Sequence, residues 1–183
     1  MIGRWQDLRE HVQADLGRYR GNVLRTLVTE PQTRWLVRLR VTEWWCNTRR
    51  SPLGRAVGVL LRLRFIAHSR RMGYTIPLNI VDAGLRLPHY GTIAVSGGAR
   101  VGRNCQILHG VTLAGTAKGA PVLEDDVFVG PGATVLGPVR VGAGALIGAN
   151  SLVTKDVPAG ATVLASPAEP RVLDLRRAPA VSS

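Results

Sequence analysis

The sequence predicts a mainly β chain, a coil of stacked six-residue units preceded by a helical segment, and three observations carry that reading. An aliphatic residue returns every sixth position, first as Val95, Val101, Ile107 and Leu113, then as Leu123, Val129, Val135, Val141, Ile147 and Val153. Four places after each aliphatic stands a small or β-branched residue: Ala99, Cys105, Val111, Val127, Ala133, Val139, Ala145, Ser151 and Val157. The two series keep one register apart from four extra residues between them. A short fixed period is the mark of a stacked repeat, and each six-residue unit reads as one flat side of a triangular coil whose aliphatics form an inner ladder. Ordinary half-buried strands would instead repeat every second residue. Gly102, Gly130, Gly142 and Gly148 directly follow ladder residues, where a corner favours the absence of a Cβ.

Taken in order, the chain opens with Trp5, Leu8, Val12, Leu16 and Tyr19 at spacings of three and four, one face of a helix that Gly21 ends. A second helix is expected from Thr29, with Pro31 in its first turn and Trp35, Leu39 and Cys46 as its apolar stripe. Ser51-Pro52 is an N-cap followed by proline at the first helical position. It opens a third helix through Leu53, Val57, Leu60 and Leu61 to about Arg71, which Gly73 stops. Residues 74–94 lead irregularly into the coil. The slip between the two series falls in Gly115-Thr116-Ala117-Lys118-Gly119-Ala120-Pro121, a loop thrown out of the coil, and the prolines from Pro158 to Pro179 predict a loose end.

Charge divides the chain. Residues 1–75 carry 15 Lys and Arg against 5 Asp and Glu, whereas residues 76–183 carry 9 against 7. Of the 24 basic residues all but Lys118 and Lys155 are arginine, spread over amphipathic helices with acids among them, which argues for solvated helix faces rather than a nucleic-acid or membrane partner. Cys46 and Cys105 offer neither a disulfide framework nor a zinc spacing, and Cys105 falls on a ladder position as a small buried hydrophobe. The apolar run 57–67 is broken by Arg62 and Arg64, and no signal peptide precedes it, so a cytoplasmic protein is expected.

For chemistry, the repeat region offers His89, between Pro88 and Tyr90, and His109, two places past a ladder residue. Imidazole is the side chain best suited to general-base work near neutrality. Two histidines do not make a three-ligand zinc site, and no serine-nucleophile elbow or P-loop appears.

Residues 76–170 resemble the hexapeptide-repeat acetyltransferases, and within them the serine acetyltransferases. Leu87-Pro88-His89 through Ile93-Ala94-Val95 to Ala99-Arg100-Val101-Gly102 is similar to the family's catalytic-histidine segment, and Ile107-Leu108 through Val111-Thr112-Leu113-Ala114-Gly115-Thr116 to its acetyl-CoA segment. Phe128-Val129-Gly130-Pro131-Gly132-Ala133, Ile147-Gly148-Ala149-Asn150-Ser151, Val157-Pro158-Ala159-Gly160 and Ser166-Pro167-Ala168 resemble later coils and the closing segment. The resemblance implies a left-handed parallel β-helix, a trimer or a dimer of trimers, and acetyl-CoA as co-substrate with no metal. It maps His89 onto the general base and seats acetyl-CoA near Ala114, Gly115 and Thr116, with Gly132, Ala133, Ala149, Lys155 and Arg171 as further contacts; His109, where the serine enzymes tend to carry a non-titrating polar residue, is expected to orient the acceptor or the pantetheine. It divides the chain into an oligomerising helical region (1–75), the β-helix domain (76–170) and a tail (171–183).

The chain also departs from that pattern. Pro88 stands where the serine enzymes place an Asp, and the upstream Asp partner of the histidine would fall near Tyr74 or Thr75, which leaves Asp82 as the substitute. Their Arg-His pair, which helps hold the amino acid, is replaced by Gly119 and Ala120, and Glu169 follows Pro-Ala where a cation is usual. The reading is therefore an acetyl-CoA-dependent O-acetyltransferase acting on L-serine or a serine-like acceptor. A sugar or polysaccharide hydroxyl is the alternative acceptor, and a non-catalytic trimeric scaffold the alternative of another class.

Overall fold

The computed structural model describes residues 2–19 and 23–165, with backbone only for residues 23–25. Four helices come first: α1 (Trp5–Gly17), α2 (Val23–Thr29), α3 (Pro31–Thr48) and α4 (Pro52–Met72). Twelve short strands follow, β1 (Tyr74–Thr75), β2 (Ile93–Val95), β3 (Arg100–Val101), β4 (Gln106–Ile107), β5 (Thr112–Ala114), β6 (Val122–Leu123), β7 (Phe128–Val129), β8 (Thr134–Leu136), β9 (Arg140–Val141), β10 (Leu146–Ile147), β11 (Leu152–Val153) and β12 (Thr162–Val163). They form three parallel sheets ordered β1-β2-β5-β8-β11, β3-β6-β9 and β4-β7-β10-β12. The coil is the expected left-handed parallel β-helix, with about five turns.

Its registers reproduce the six-residue reading. Val95 pairs with Leu113, Leu113 with Val135 and Val135 with Val153, while Ile107, Val129, Ile147 and Val163 stack on another side. Each residue of both ladder series is buried, and so is each residue four places on except Ala117, which lies in the loop of the register slip. Burying a valine or leucine contributes roughly 1.5–3 kcal/mol, so the ladder is the main source of cohesion. Cys105 is among these residues, its Sγ 3.1 Å from the Glu124 carbonyl and its pKa raised to about 11 by burial. The four extra residues fall where expected: Val95 meets Leu113 eighteen positions on, but Val101 meets Leu123 twenty-two on.

The glycines after ladder residues have a different physical reason from the expected corner freedom. Their φ is not positive; a Cβ on Gly102 would sit 2.6 Å from the Glu124 backbone, and one on Gly130 2.8 Å from the Ala149 nitrogen, so coil stacking excludes it. The left-handed backbone falls instead one residue before the small ladder position, at Asn104, Asp126, Asn150, Gly110, Gly132 and Gly144 among others. These are the residue types that tolerate it.

The helices follow their caps better than their stripes. Ser51 Oγ accepts from the Gly54 N–H at 3.1 Å, and Gly73, at φ 77°, ends α4 as expected. The second helix begins at Pro31, with Glu30 extended at its N-cap, because a residue before proline is pushed out of the helical region. Thr29 belongs to the preceding α2, which spacing did not reveal. Gly21 lies outside the described residues. Of the expected stripes, Trp5, Leu53 and Leu60 are exposed, as is Cys46, whereas Asp15, Arg40 and Glu43 are buried.

That inversion has a cause. Arg40 is fully buried and donates through Nε to Asp15 (2.8 Å), through Nη1 to Glu43 (3.1 Å) and the Val81 carbonyl (2.8 Å), and through Nη2 to the Asp82 carbonyl (2.7 Å). Asp15 also accepts from the Gly84 and Leu85 N–H groups, and Glu43 from the Asn79 N–H. A satisfied network of charges joins the buried stripe residues Leu8, Trp35 and Leu39 in docking α1 and α3 onto the first turn of the coil.

Candidate active site

The first turn of the coil is irregular at one edge. Arg86 bridges to Gln106 and Ala94 pairs with Thr112, so residues 87–93 lie opposite 107–111, two residues more. The excess pushes Pro88-His89-Tyr90 outward, and three side chains from the first 75 residues hold its backbone. The Tyr19 hydroxyl donates to the Leu87 carbonyl and accepts from the Leu87 N–H, both at 3.1 Å. Gln32 Nε2 donates to the Pro88 carbonyl at 3.1 Å, and the Tyr74 hydroxyl donates to the His89 carbonyl at 2.8 Å. Three consecutive carbonyls are therefore fixed from α1's C-terminal side, α3 and β1. Burial raises the Tyr19 phenol to about 12 and pushes Tyr74 up as well, so both stay protonated donors at neutral pH. Tyr74 is itself packed edge-on against Trp35, with ring centroids 5.1 Å apart.

His89 and His109 meet at this edge, their ring centroids 5.8 Å apart and nearly perpendicular. Both are exposed, and His109 lies over Gly91, where any Cβ would come within 3.1 Å of its own. Side-chain freedom at His89 is thus combined with a fixed backbone, which suits a base that must reach a bound hydroxyl.

The structure sorts the remaining expected residues. Gly132 and Ala149 occupy the same edge, one and two turns past His109. Ala133 is in the ladder, fully buried, so its side chain does not face a ligand. Ala114, Gly115 and Thr116 lie at the opposite border of the five-stranded sheet, five residues beyond Gly110 and roughly 16 Å along a strand. There Thr116 and Gly119 close a tight turn through paired backbone hydrogen bonds of 2.7 and 3.1 Å. Lys155 is exposed between β11 and Val157, and Arg171 lies outside the described residues.

Asp82 is not brought to His89. It follows Val81, which bridges to Val101 on the three-stranded side, and its Oδ1 stands 3.3 Å from His11 Nε2. Both line a cavity of about 650 Å³ with Glu43, Arg100, Glu124 and Arg140, away from the histidine edge. Sequence proximity to His89 did not become proximity in space, because a coil carries each seven-residue step to another face. The clamps Tyr19, Gln32 and Tyr74 were missed in turn, because their contacts depend on helices folding back over the coil.

Comparison with known proteins bears on the family and the fold. Residues 120–155 match the family model for the bacterial transferase hexapeptide (six repeats). The serine acetyltransferase of Neisseria gonorrhoeae, solved with serine, superposes with a TM-score of 0.69 at 30% identity, covering 90% of this chain and 69% of that one. The chain belongs to the hexapeptide-repeat serine acetyltransferase family. The serine acetyltransferase of Synechococcus elongatus is 35% identical over 153 residues, which are 80% of this chain and 59% of that relative. A serine acetyltransferase solved with CoA shares the fold at 24% identity and a TM-score of 0.70, covering 90% of this chain and 70% of that one. Across the first curated relatives this family member spans between 27% and 59% of their length.

Proposed function

We propose that the chain transfers the acetyl group of acetyl-CoA to the hydroxyl of L-serine or a serine-like small acceptor, with His89 as the general base. His89 takes the hydroxyl proton as the oxygen attacks the thioester carbonyl. The tetrahedral intermediate then expels the CoA thiolate, which recovers the proton from the imidazolium, so proton and leaving group both balance. His109 orients the acceptor beside it. The observation that carries this reading is the outward bulge at residues 87–93, whose backbone is clamped at three carbonyls while its histidine stays free beside a second one.

A homotrimer or a dimer of trimers is part of the proposal. The histidine edge and the Ala114–Thr116 edge border the same sheet on opposite sides, so a neighbouring copy is needed to bring an acetyl-CoA-type loop to His89. Gly132, Ala149 and Lys155 then border the groove between copies. The acceptor has a second reading, a sugar hydroxyl, because the 116–119 turn carries no Arg-His pair to hold an amino acid's charged groups.

Thiol release from acetyl-CoA with L-serine, and in parallel with a sugar panel, tests the chemistry. His89→Ala should lower kcat by roughly 10²–10⁴-fold with acetyl-CoA binding nearly intact, because a base acts on proton transfer in the transition state. His109→Ala should cost less, on the order of 1–3 kcal/mol of lost hydrogen bonding. A fully active His89→Ala protein would remove His89 from the mechanism.

A further inference from the structure

The face of α4 turned away from the protein is apolar along most of its length. Leu53, Val59, Leu60, Leu63 and Ile66 are exposed, with Leu53 at 77% and Leu63 at 59%, and Ala56 and Ala67 lie between them. At 100° per residue these positions share roughly 140° of the helix circumference, and from Leu53 to Ala67 they run about 21 Å. The buried face is the other one, made of Gly54, Gly58, Phe65, Ser69 and Met72. The stripe is therefore not a core stripe left slightly open.

Its borders are cationic. Arg55 and Arg62 flank one side, Arg64 and Arg71 the other, Arg70 stands at its C-terminal end, and all five are exposed. Helix α4 has no Asp or Glu, and Arg49 and Arg50 precede it, also exposed. A second copy of α4 laid on this stripe would face arginine borders with arginine borders and offer no carboxylate in return, which costs rather than stabilises. An anionic lipid surface satisfies both parts at once: leucines enter the acyl boundary while arginines reach the headgroups. Among the described residues no helix is long and apolar enough to cross a membrane, so α4 would lie on the surface.

We propose that the protein docks on anionic membranes through the α4 stripe of Leu53, Val59, Leu60, Leu63 and Ile66 and its arginine borders. This revises the expectation of no membrane partner. That expectation rested on acids interspersed among the arginines, and α4 has none. The test is co-sedimentation of the whole chain with phosphatidylcholine vesicles containing phosphatidylglycerol and with pure phosphatidylcholine vesicles, at low and high salt. Binding is expected to the anionic vesicles only, and to weaken with salt. Arg55→Gln with Arg62→Gln and Arg64→Gln should weaken it about 100-fold. Leu60→Ser with Leu63→Ser should weaken it about tenfold or more at unchanged net charge, which separates stripe docking from the general attraction of a basic chain. Both variants should keep the wild-type melting curve, since the residues are exposed. The proposal is overturned if the wild type ignores anionic vesicles at low salt or binds neutral ones equally. Retention of lipid binding by the Leu60/Leu63 variant would overturn it too, as would splitting of an oligomer by that variant in light scattering, which would mean that a second copy covers the stripe.

Discussion

The coil and the helical region of this chain are stabilised in opposite ways. In the coil, position along a six-residue period decides burial, and every ladder aliphatic from Val95 to Val153 is inside. In the helices, Leu53, Leu60 and Leu63 of α4 face out while Asp15, Arg40 and Glu43 are buried beside Leu8, Leu36 and Leu39. The difference lies in what each element leaves undecided. A coil has one interior, and turning it every six residues permits no other set of inward side chains. A helix has a full circumference, and its neighbour chooses the face. Helix α4 turns Gly54, Gly58, Phe65, Ser69 and Met72 inward, with the Trp45 indole N–H donating to the Gly54 carbonyl at 2.8 Å.

The sharpest test of this contrast is Arg40. Arg40→Ala would leave the Asp15 and Glu43 carboxylates buried without their cation, at a cost of about 3–5 kcal/mol in urea or thermal unfolding. Leu60→Ala on the exposed stripe should stay within about 0.5 kcal/mol. Equal effects of the two would mean that the buried charges are not what docks the helices.

A smaller effect is expected at Tyr19, which connects the two regions at the candidate site. Tyr19→Phe removes both hydrogen bonds to Leu87 and should cost about 1–2 kcal/mol, with a lower kcat as the His89 segment loosens. Its pH signature has a definite sign. The folded phenol, raised to about 12 by burial, keeps its proton where the unfolded phenol, near 10, has lost it. The Tyr19 contribution is therefore complete below pH 10 and is lost as pH rises towards 12. Tyr19→Phe should flatten that part of the alkaline loss measured by melting. An unchanged alkaline slope would show that the Tyr19 proton does not couple the helices to the coil.

The same contrast governs what could be read beforehand. The coil, its four-residue slip and its two histidines follow from local spacing, so they were legible. The six-residue rule even places Ala133 inside, against its expected role as a ligand contact. The residues that hold His89 were not legible, because Tyr19 and Leu87 are 68 positions apart and Gln32 and Pro88 are 56. Asp82 misled for the converse reason: seven residues along a triangular coil lead to another side, where His11 waits.

The smallest expected effect concerns the one polar side chain among the inward ladder positions. Ser151 stacks beneath Ala133, and its Oγ is buried with no hydrogen-bond partner among the described residues. An unpaired hydroxyl in an apolar column keeps its desolvation cost without the compensating bond. Ser151→Ala retains the small volume that the stacking needs and removes that cost. It should stabilise the protein by about 1 kcal/mol, a rise of roughly 2–4 °C in Tm for a chain of this size. Thermal unfolding monitored by far-UV circular dichroism reads that shift directly. A loss of stability instead would show that the hydroxyl has a partner such as a buried water, and that the last turns of the coil are not the dry ladder seen in the first.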